Sequence, residues 1–219
     1  MIGPAQPNLP TDVDDQPRSA RKRRAILEAA TTVFLHSGYL GTSMDEIAAR
    51  AGVSKRTVYQ HFASKDSLFV AIVTSTVDQA GEPVHEEVQQ LKHSGDLEAD
   101  LHDLARRQLS RVMQPRLMQL RRLVIGEARR FPELGRAFYE RGAGRTIAAL
   151  ADTFADLAEQ RLLRFDNALT AATHFNWLIM SAPVNRAMLL GDEGIPTPAE
   201  LDQYADEGVR AFLAAYGKR

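Results

Sequence analysis

The 219-residue chain contains no cysteine. This excludes disulfides, thiolate metal sites and cysteine nucleophiles, and leaves the redox compartment open. No apolar run approaches the length of a membrane span; the stretch Trp177-Leu178-Ile179-Met180 is far too short. The first residues lack the apolar core of a secretory signal, so the expectation is a soluble cytoplasmic protein with no membrane partner. No segment alternates apolar and polar residues as a strand does. The histidines, His36, His61, His85, His93, His102 and His174, show no metal-ligand spacing such as His-x-x-x-His, and no Ser/His/acid set stands out. A helical enzyme is therefore a poor reading, and neither a metal nor a cofactor is expected.

What is present is helical. Hydrophobic residues make up 44% and charged residues 25%, an ordinary balance for a globular protein. The net charge of −1 conceals an asymmetry: Arg18 to Lys65 holds nine basic and three acidic residues, whereas Asp66 onward holds 18 basic and 22 acidic. Such a basic segment suits contact with a polyanion, or is simply a solvated surface. Residues 1–16, with Pro4, Pro7, Pro10 and the acids Asp12, Asp14 and Asp15, read as a disordered tail. After Pro17, Ile26, Ala29, Ala30, Val33 and Phe34 form one apolar face, which Gly38 closes.

Ser43-Met44-Asp45-Glu46 has the form of a capping box. Ala48 is small enough for a helix crossing, Gly52 supplies the turn, and Ser54 caps a helix from Lys55 to about His61. Val58 and Phe62 then fill the wedge between the helices. A purely structural helix pair can look like this in part, but Met44 to His61 meets every requirement of a helix-turn-helix. Opposite the wedge stand Arg56, Thr57 and Gln60, whose side chains suit guanine, a thymine methyl and adenine edges. Lys55, Tyr59 and His61 flank them, where phosphates run. Thr42, Ser43 and Lys65 sit at helix starts, where backbone N–H groups favour an anion. The arm containing Arg18, Arg21, Lys22, Arg23 and Arg24 reads as a phosphate or minor-groove contact, with a solvated charge cluster as the alternative.

The run from Thr42 to Leu68, within residues 20–70, resembles the DNA-binding domain of the TetR family. Arg122-Leu123-Val124-Ile125-Gly126-Glu127-Ala128-Arg129-Arg130-Phe131-Pro132-Glu133-Leu134 resembles the C-terminal domain of its AefR-like branch. The resemblance implies an all-α homodimer of about nine helices: a three-helix helix-turn-helix domain over 17–63 and a helical ligand and dimerisation domain over 64–219. It implies a transcriptional repressor released from a double-stranded operator by a small molecule. It also implies backbone contacts for Tyr59, His61 and Lys65. Arg56 departs from it, because many relatives carry a small residue there.

Further along, Gly81-Glu82-Pro83 is expected to kink or break a helix that Ser64 caps. Asp96 caps the next, and a helix carrying Leu117, Leu120, Leu123 and Val124 follows Pro115. Longer helices are expected over about Glu133–Arg161 and Asp166–Leu190, the second kinked at Pro183. Thr197-Pro198-Ala199-Glu200 starts the last helix as a capping box with Pro at its first position. Met113, Leu117, Phe131, Phe138, Tyr139, Phe154 and Trp177 are candidates for an apolar ligand pocket, each also readable as ordinary core. Glu127, His174 and Asn176 are candidate polar anchors. Glu127 has a second reading, as the buried partner of Arg141 or Arg145. By resemblance the last two helices form the dimer interface, with Leu169, Leu178, Ala182, Met188, Val209 and Phe212 as candidates. The alternatives are a helical protein-interaction module and a regulator without small-molecule control.

Overall fold

A computed structural model describes residues 15–218. Of the expected tail, residues 1–14 lie outside the described residues, and Asp15 and Gln16 already belong to the first helix. The described chain is all-α. Its helices are α1 (Asp15–Gly41), α2 (Met44–Ala51), α3 (Lys55–His61), α4 (Lys65–Gln90), α5 (Leu97–Val112), α6 (Pro115–Glu127), α7 (Pro132–Tyr139), α8 (Arg145–Glu159), α9 (Ala168–Leu190) and α10 (Pro198–Tyr216). A π-helical stretch, Glu140–Gly144, lies between α7 and α8. Among them the only β pairing is the isolated antiparallel bridge between Leu163 and Gly217. No described helix is long and apolar enough to cross a membrane.

The chain divides into two compact units, one ending at Ile72 and the other beginning at Val73. The first buries the apolar face of α1 (Ile26, Ala30, Val33, Phe34) against Ile47 and Ala48, Val58 and Phe62, and Leu68, Phe69 and Ile72. The rings of Phe34 and Tyr39 lie 5.0 and 5.3 Å from that of Phe69. Gly38 has φ 68°, so the regular run of α1 breaks there, before Tyr39.

In the second unit, α5, α8, α9 and α10 close on one core. Phe154 of α8, Phe175 of α9 and Phe212 of α10 meet with centroids 5.1–5.6 Å apart. Along the α5–α10 seam, Arg106 donates to both carboxylate oxygens of Asp206 at 2.9 and 2.8 Å. At Gly208 a Cβ would stand 3.2 Å from the Leu178 backbone and 3.0 Å from Ile179 Cγ1. Glycine there is what lets α10 approach α9 so closely.

The expected caps are present. Ser43, Ser54, Ser64 and Asp96 accept from the N–H groups of Glu46, Thr57, Ser67 and Ala99 at 3.1 Å. Thr197 and Glu200 form the full reciprocal box. Three expectations are corrected. The helix expected to open at Asp166 is capped one residue later, by Asn167, whose Oδ1 accepts from Thr170 at 2.8 Å. Of the kink or break expected at Gly81-Glu82-Pro83, the break does not occur: α4 runs on to Gln90 with Pro83 inside it. Burying Val84 and Val88 in the core outweighs the one backbone hydrogen bond that proline forfeits. The single helix expected over Glu133–Arg161 is interrupted at Gly142, whose ψ of −107° is not helical.

Two measurements test this packing. Gly208→Ala is expected to destabilise the protein by about 1–3 kcal/mol, because the Leu178 backbone as well as the Ile179 side chain must give way; thermal melting reads it. Glu87 accepts a fork from Arg111 at 2.9 and 2.7 Å, which, aided by Arg107, holds its carboxyl below the usual value of 4.5. Its stabilisation is therefore present above about pH 4.5 and lost as pH falls through the lower, folded value. Glu87→Gln should melt lower than the parent at pH 7, by about 1 kcal/mol for this partly exposed pair. The two proteins should converge once the pH has fallen below the folded value.

Candidate functional sites

The first unit presents α3 as a polar ridge on an apolar base. Gly52, with φ 66° and ψ 30°, makes the left-handed turn between α2 and α3, and its N–H caps α2 on the carbonyls of Ala48 and Ala49. Val58 and Phe62, 0% and 5% exposed, anchor the inner face of α3. Arg56, Tyr59 and Gln60 are exposed on the other side, with Thr57 and His61 half-buried beside them. Thr57 Oγ1 lies 2.9 Å from Ser54 Oγ, so this hydroxyl is already engaged in the turn. Lys55 pairs with Asp45 of α2 at 2.8 Å, and the neighbouring carboxylate raises its pKa. Arg21 and Arg24 are exposed on α1, and the Arg23 guanidinium stands 5.3 Å from the Phe62 ring centre.

Two residues assigned to phosphates are turned inward. Thr42 is buried and its hydroxyl donates to the Gly38 carbonyl at 2.7 Å. Lys65 donates to the carbonyls of Tyr39 and Thr42 at 2.8 and 3.0 Å, and its ammonium lies 4.5 Å from the Tyr39 ring centre. The Tyr39 hydroxyl in turn donates to Asp66. Lys65 thus ties the start of α4 to the α1–α2 junction with two of its three N–H donors. Ser43 stays exposed at the start of α2.

The second unit contains a cavity of about 250 Å³ walled by α4 to α9. Leu117, Phe138, Tyr139, Asn176 and Trp177 line it, as the sequence suggested. Met113, Phe131 and Phe154 do not: they are 2%, 7% and 0% exposed and serve as packing. His174 is exposed and bonded to the Tyr216 hydroxyl. Glu127 is also outside the lining, and its two candidate partners are taken: Arg141 pairs with Asp78 and Arg145 with Glu82, each at 2.9 Å. The sequence reading missed Gln108 and Arg121, both in the wall. Their signal was a polar or charged residue on a helix face otherwise used for packing. Gln108 is buried and donates to Asn176 Oδ1 at 3.1 Å.

On α9, Leu169, Leu178 and Ala182 are exposed and Met188 is half-buried, but Val209 and Phe212 of α10 lie in the core with no exposure. They are removed from the candidate interface, because the ring cluster claims that face of α10. Leu189 and Leu190, 75% and 63% exposed, were overlooked. Leu178, Ala182 and Leu189 share one stripe of α9, spaced at four and eleven residues.

The comparisons agree with this division. Residues 26–72 match the model of bacterial regulatory proteins of the tetR family, and residues 99–218 match that of the AefR-like transcriptional repressor C-terminal domain. Among solved structures, a protein from Mesorhizobium loti MAFF303099 assigned to the TetR family of transcriptional regulators is 43% identical. The match covers 91% of this chain and 98% of that one, with a TM-score of 0.85. The flavonoid-responsive regulator FrrA is 32% identical over 91% of this chain and 99% of its own, with a TM-score of 0.69. Among curated proteins, the HTH-type transcriptional activator FasR of Mycolicibacterium smegmatis (strain ATCC 700084 / mc(2)155) is 52% identical over 62 residues. That segment is 28% of this chain and 28% of FasR, so the chain spans about a quarter of this curated relative's length.

The inward placement of Lys65 separates two kinds of variant. Arg56→Ala and Gln60→Ala should leave the melting temperature nearly unchanged, as exposed substitutions do. They should relax base preference at individual duplex positions by about 1–3 kcal/mol per lost bidentate contact. Lys65→Met should lower the melting temperature and weaken binding to all duplexes alike. Fluorescence anisotropy on single-position duplex variants, with a circular-dichroism melt of each protein, distinguishes these outcomes.

Proposed function

The chain belongs to the TetR family of DNA-binding transcriptional regulators, and on that premise we propose that it is a homodimeric, cytoplasmic repressor. It reads a palindromic operator through α3 and leaves it when a small apolar or aromatic molecule enters the cavity of the second unit. The observation that carries the reading is the coexistence, in one chain, of an exposed Arg56–Tyr59–Gln60 ridge and an apolar-walled cavity. The repressor assignment draws on the AefR-like repressor model over residues 99–218, and the effector on the likeness to the flavonoid-responsive FrrA. Arg56, Thr57 and Gln60 read bases; Ser43, Lys55, Tyr59, His61, Arg21 and Arg24 meet phosphates.

The surface of α9 supports the dimer. Leu178 and Leu189, 44% and 75% exposed, form with Ala182 an apolar stripe of the kind that marks an interface on a protein surface. A two-fold dimer places two α3 helices on half-sites about one helical turn, roughly 34–36 Å, or a multiple apart. Release requires a ligand that binds the free and DNA-bound states with different affinity; a hundredfold difference is about 2.7 kcal/mol of coupling. By reciprocity, operator DNA weakens ligand binding by the same factor. α4 is the element common to both halves of the chain, supplying Lys65 to one and Val77, Ala80 and Val84 to the other.

Sedimentation at micromolar concentration should give twice the chain mass of 24.3 kDa. Leu178→Glu, at an exposed position, should shift the protein toward monomer and weaken operator binding. A monomeric parent that still binds its operator tightly would overturn the interface. Titrating a ligand found by thermal shift, with and without operator, tests the release: equal affinity in both titrations would exclude it. A reporter gene that falls silent on deletion of the regulator would mark an activator instead.

A further inference from the structure

Arg121 of α6 is the one charged residue in the cavity wall; the remainder is apolar apart from Gln108, Tyr139, Thr146 and Asn176. Its neighbour Arg122 is satisfied by Asp192 and the Ala187 carbonyl. Among the described residues Arg121 has no such partner: its guanidinium stands 5.8 Å from the Phe138 ring centre, and burial lowers its pKa from the usual value. An arginine nevertheless keeps its proton at neutral pH. The cavity therefore holds a partly desolvated cation that no acid of the described chain neutralises, and buried charges are normally paired.

A second observation points to the same space. Gln108, 3% exposed, donates to Asn176 Oδ1, while its own Oε1 is buried with no hydrogen-bond partner. A buried acceptor left open in a cavity wall asks for a donor from whatever occupies that cavity.

Building on the reading of this cavity as the effector site, we propose that the effector is an organic monoacid with an apolar, ring-containing body. Its carboxylate takes the Arg121 fork, and a hydroxyl or N–H on its body donates to Gln108 Oε1. The planar guanidinium matches two carboxylate oxygens side by side. A single cation balances a single negative charge, which disfavours phosphate dianions. Val84, Met118, Val124, Trp177 and Met180 supply the apolar wall for the body. The acid does in the bound state what no side chain of the described residues does in the free one: it neutralises Arg121.

The test is isothermal titration of the full-length protein with three matched pairs: 4-hydroxybenzoate, 4-hydroxycinnamate and 6-hydroxy-2-naphthoate, each against its methyl ester. At least one acid should bind tenfold or more tightly than its ester, equivalent to about 1.4 kcal/mol. Arg121→Gln should erase that preference while leaving the ester's affinity within about twofold. Gln108→Leu should weaken the hydroxylated acid but not the same acid lacking its hydroxyl. Circular dichroism confirms that each variant is folded, and the acid–ester comparison in the parent protein needs no variant. Esters that match or exceed all three acids, or an acid preference that survives Arg121→Gln, would overturn the charge assignment alone. If neither acids nor esters bind, the effector-site reading falls with it.

Discussion

Phe154, Phe175 and Phe212 come from three different helices and are each fully buried. Burying one such ring contributes on the order of 1.5–3 kcal/mol, comparable together with the whole net stability of many domains. Their mutual edge and tilted contacts fix the rotation of α9 about its own axis. Once Phe175 is directed into this cluster, Asn176, Trp177 and Met180 fall on the cavity side and Leu178 is left at the surface. The close approach of α10 at Gly208 holds the same rotation from behind. α9 is apolar on more faces than the chain covers, and the ring cluster decides which of them is left exposed.

The first unit rests on a smaller device. α3 is only seven residues long, too short to be stable as an isolated helix, so its position comes from what surrounds it. Ser54 starts it, Phe62 caps it with its N–H on the Val58 carbonyl, and Val58 fastens it to α2. Lys65 then binds the carbonyls that end the α1–α2 junction. The polar ridge is left exposed because Val58 and Phe62 support it from the opposite face. Lys55 is partly committed: its pair with Asp45 is exposed and worth little in water, so a phosphate can replace the carboxylate at small cost.

The cavity wall shows the opposite economy. Ion pairs elsewhere in the second unit are made with good geometry: Arg106 with Asp206, Arg111 with Glu87, Arg141 with Asp78 and Arg145 with Glu82. Against that background an unpaired arginine and an open amide oxygen in the same wall are departures from local consistency. Such departures concentrate where a protein binds something.

Much of this protein was legible in its residues because helix starts, stops and tight turns are decided within a turn of chain. Ser43, Ser54, Asp96 and the Thr197–Glu200 box cap as their chemistry dictates, Gly52 takes a left-handed conformation that a Cβ disfavours, and the spacing of Val58 and Phe62 identified the outward face of α3. Periodicity shows that a residue faces inward but not what it meets there. Phe154, Met113, Val209 and Phe212 were therefore inseparable by sequence from Trp177 and Phe138, although the first four are core and the last two line a cavity. Arg141 and Arg145 chose Asp78 and Glu82 rather than Glu127 because partners 63 residues away in the chain came within reach only on folding, and Pro83 stayed inside a helix because Val84 and Val88 are buried beyond it. The all-α class, the helix-turn-helix and the outward face of α3 follow from the residues alone, since they depend on backbone hydrogen bonds and φ angles set locally. The tertiary structure alone decided the cavity, its unpaired Arg121 and the exposed stripe of α9, since those depend on how several helices divide one another's apolar surface.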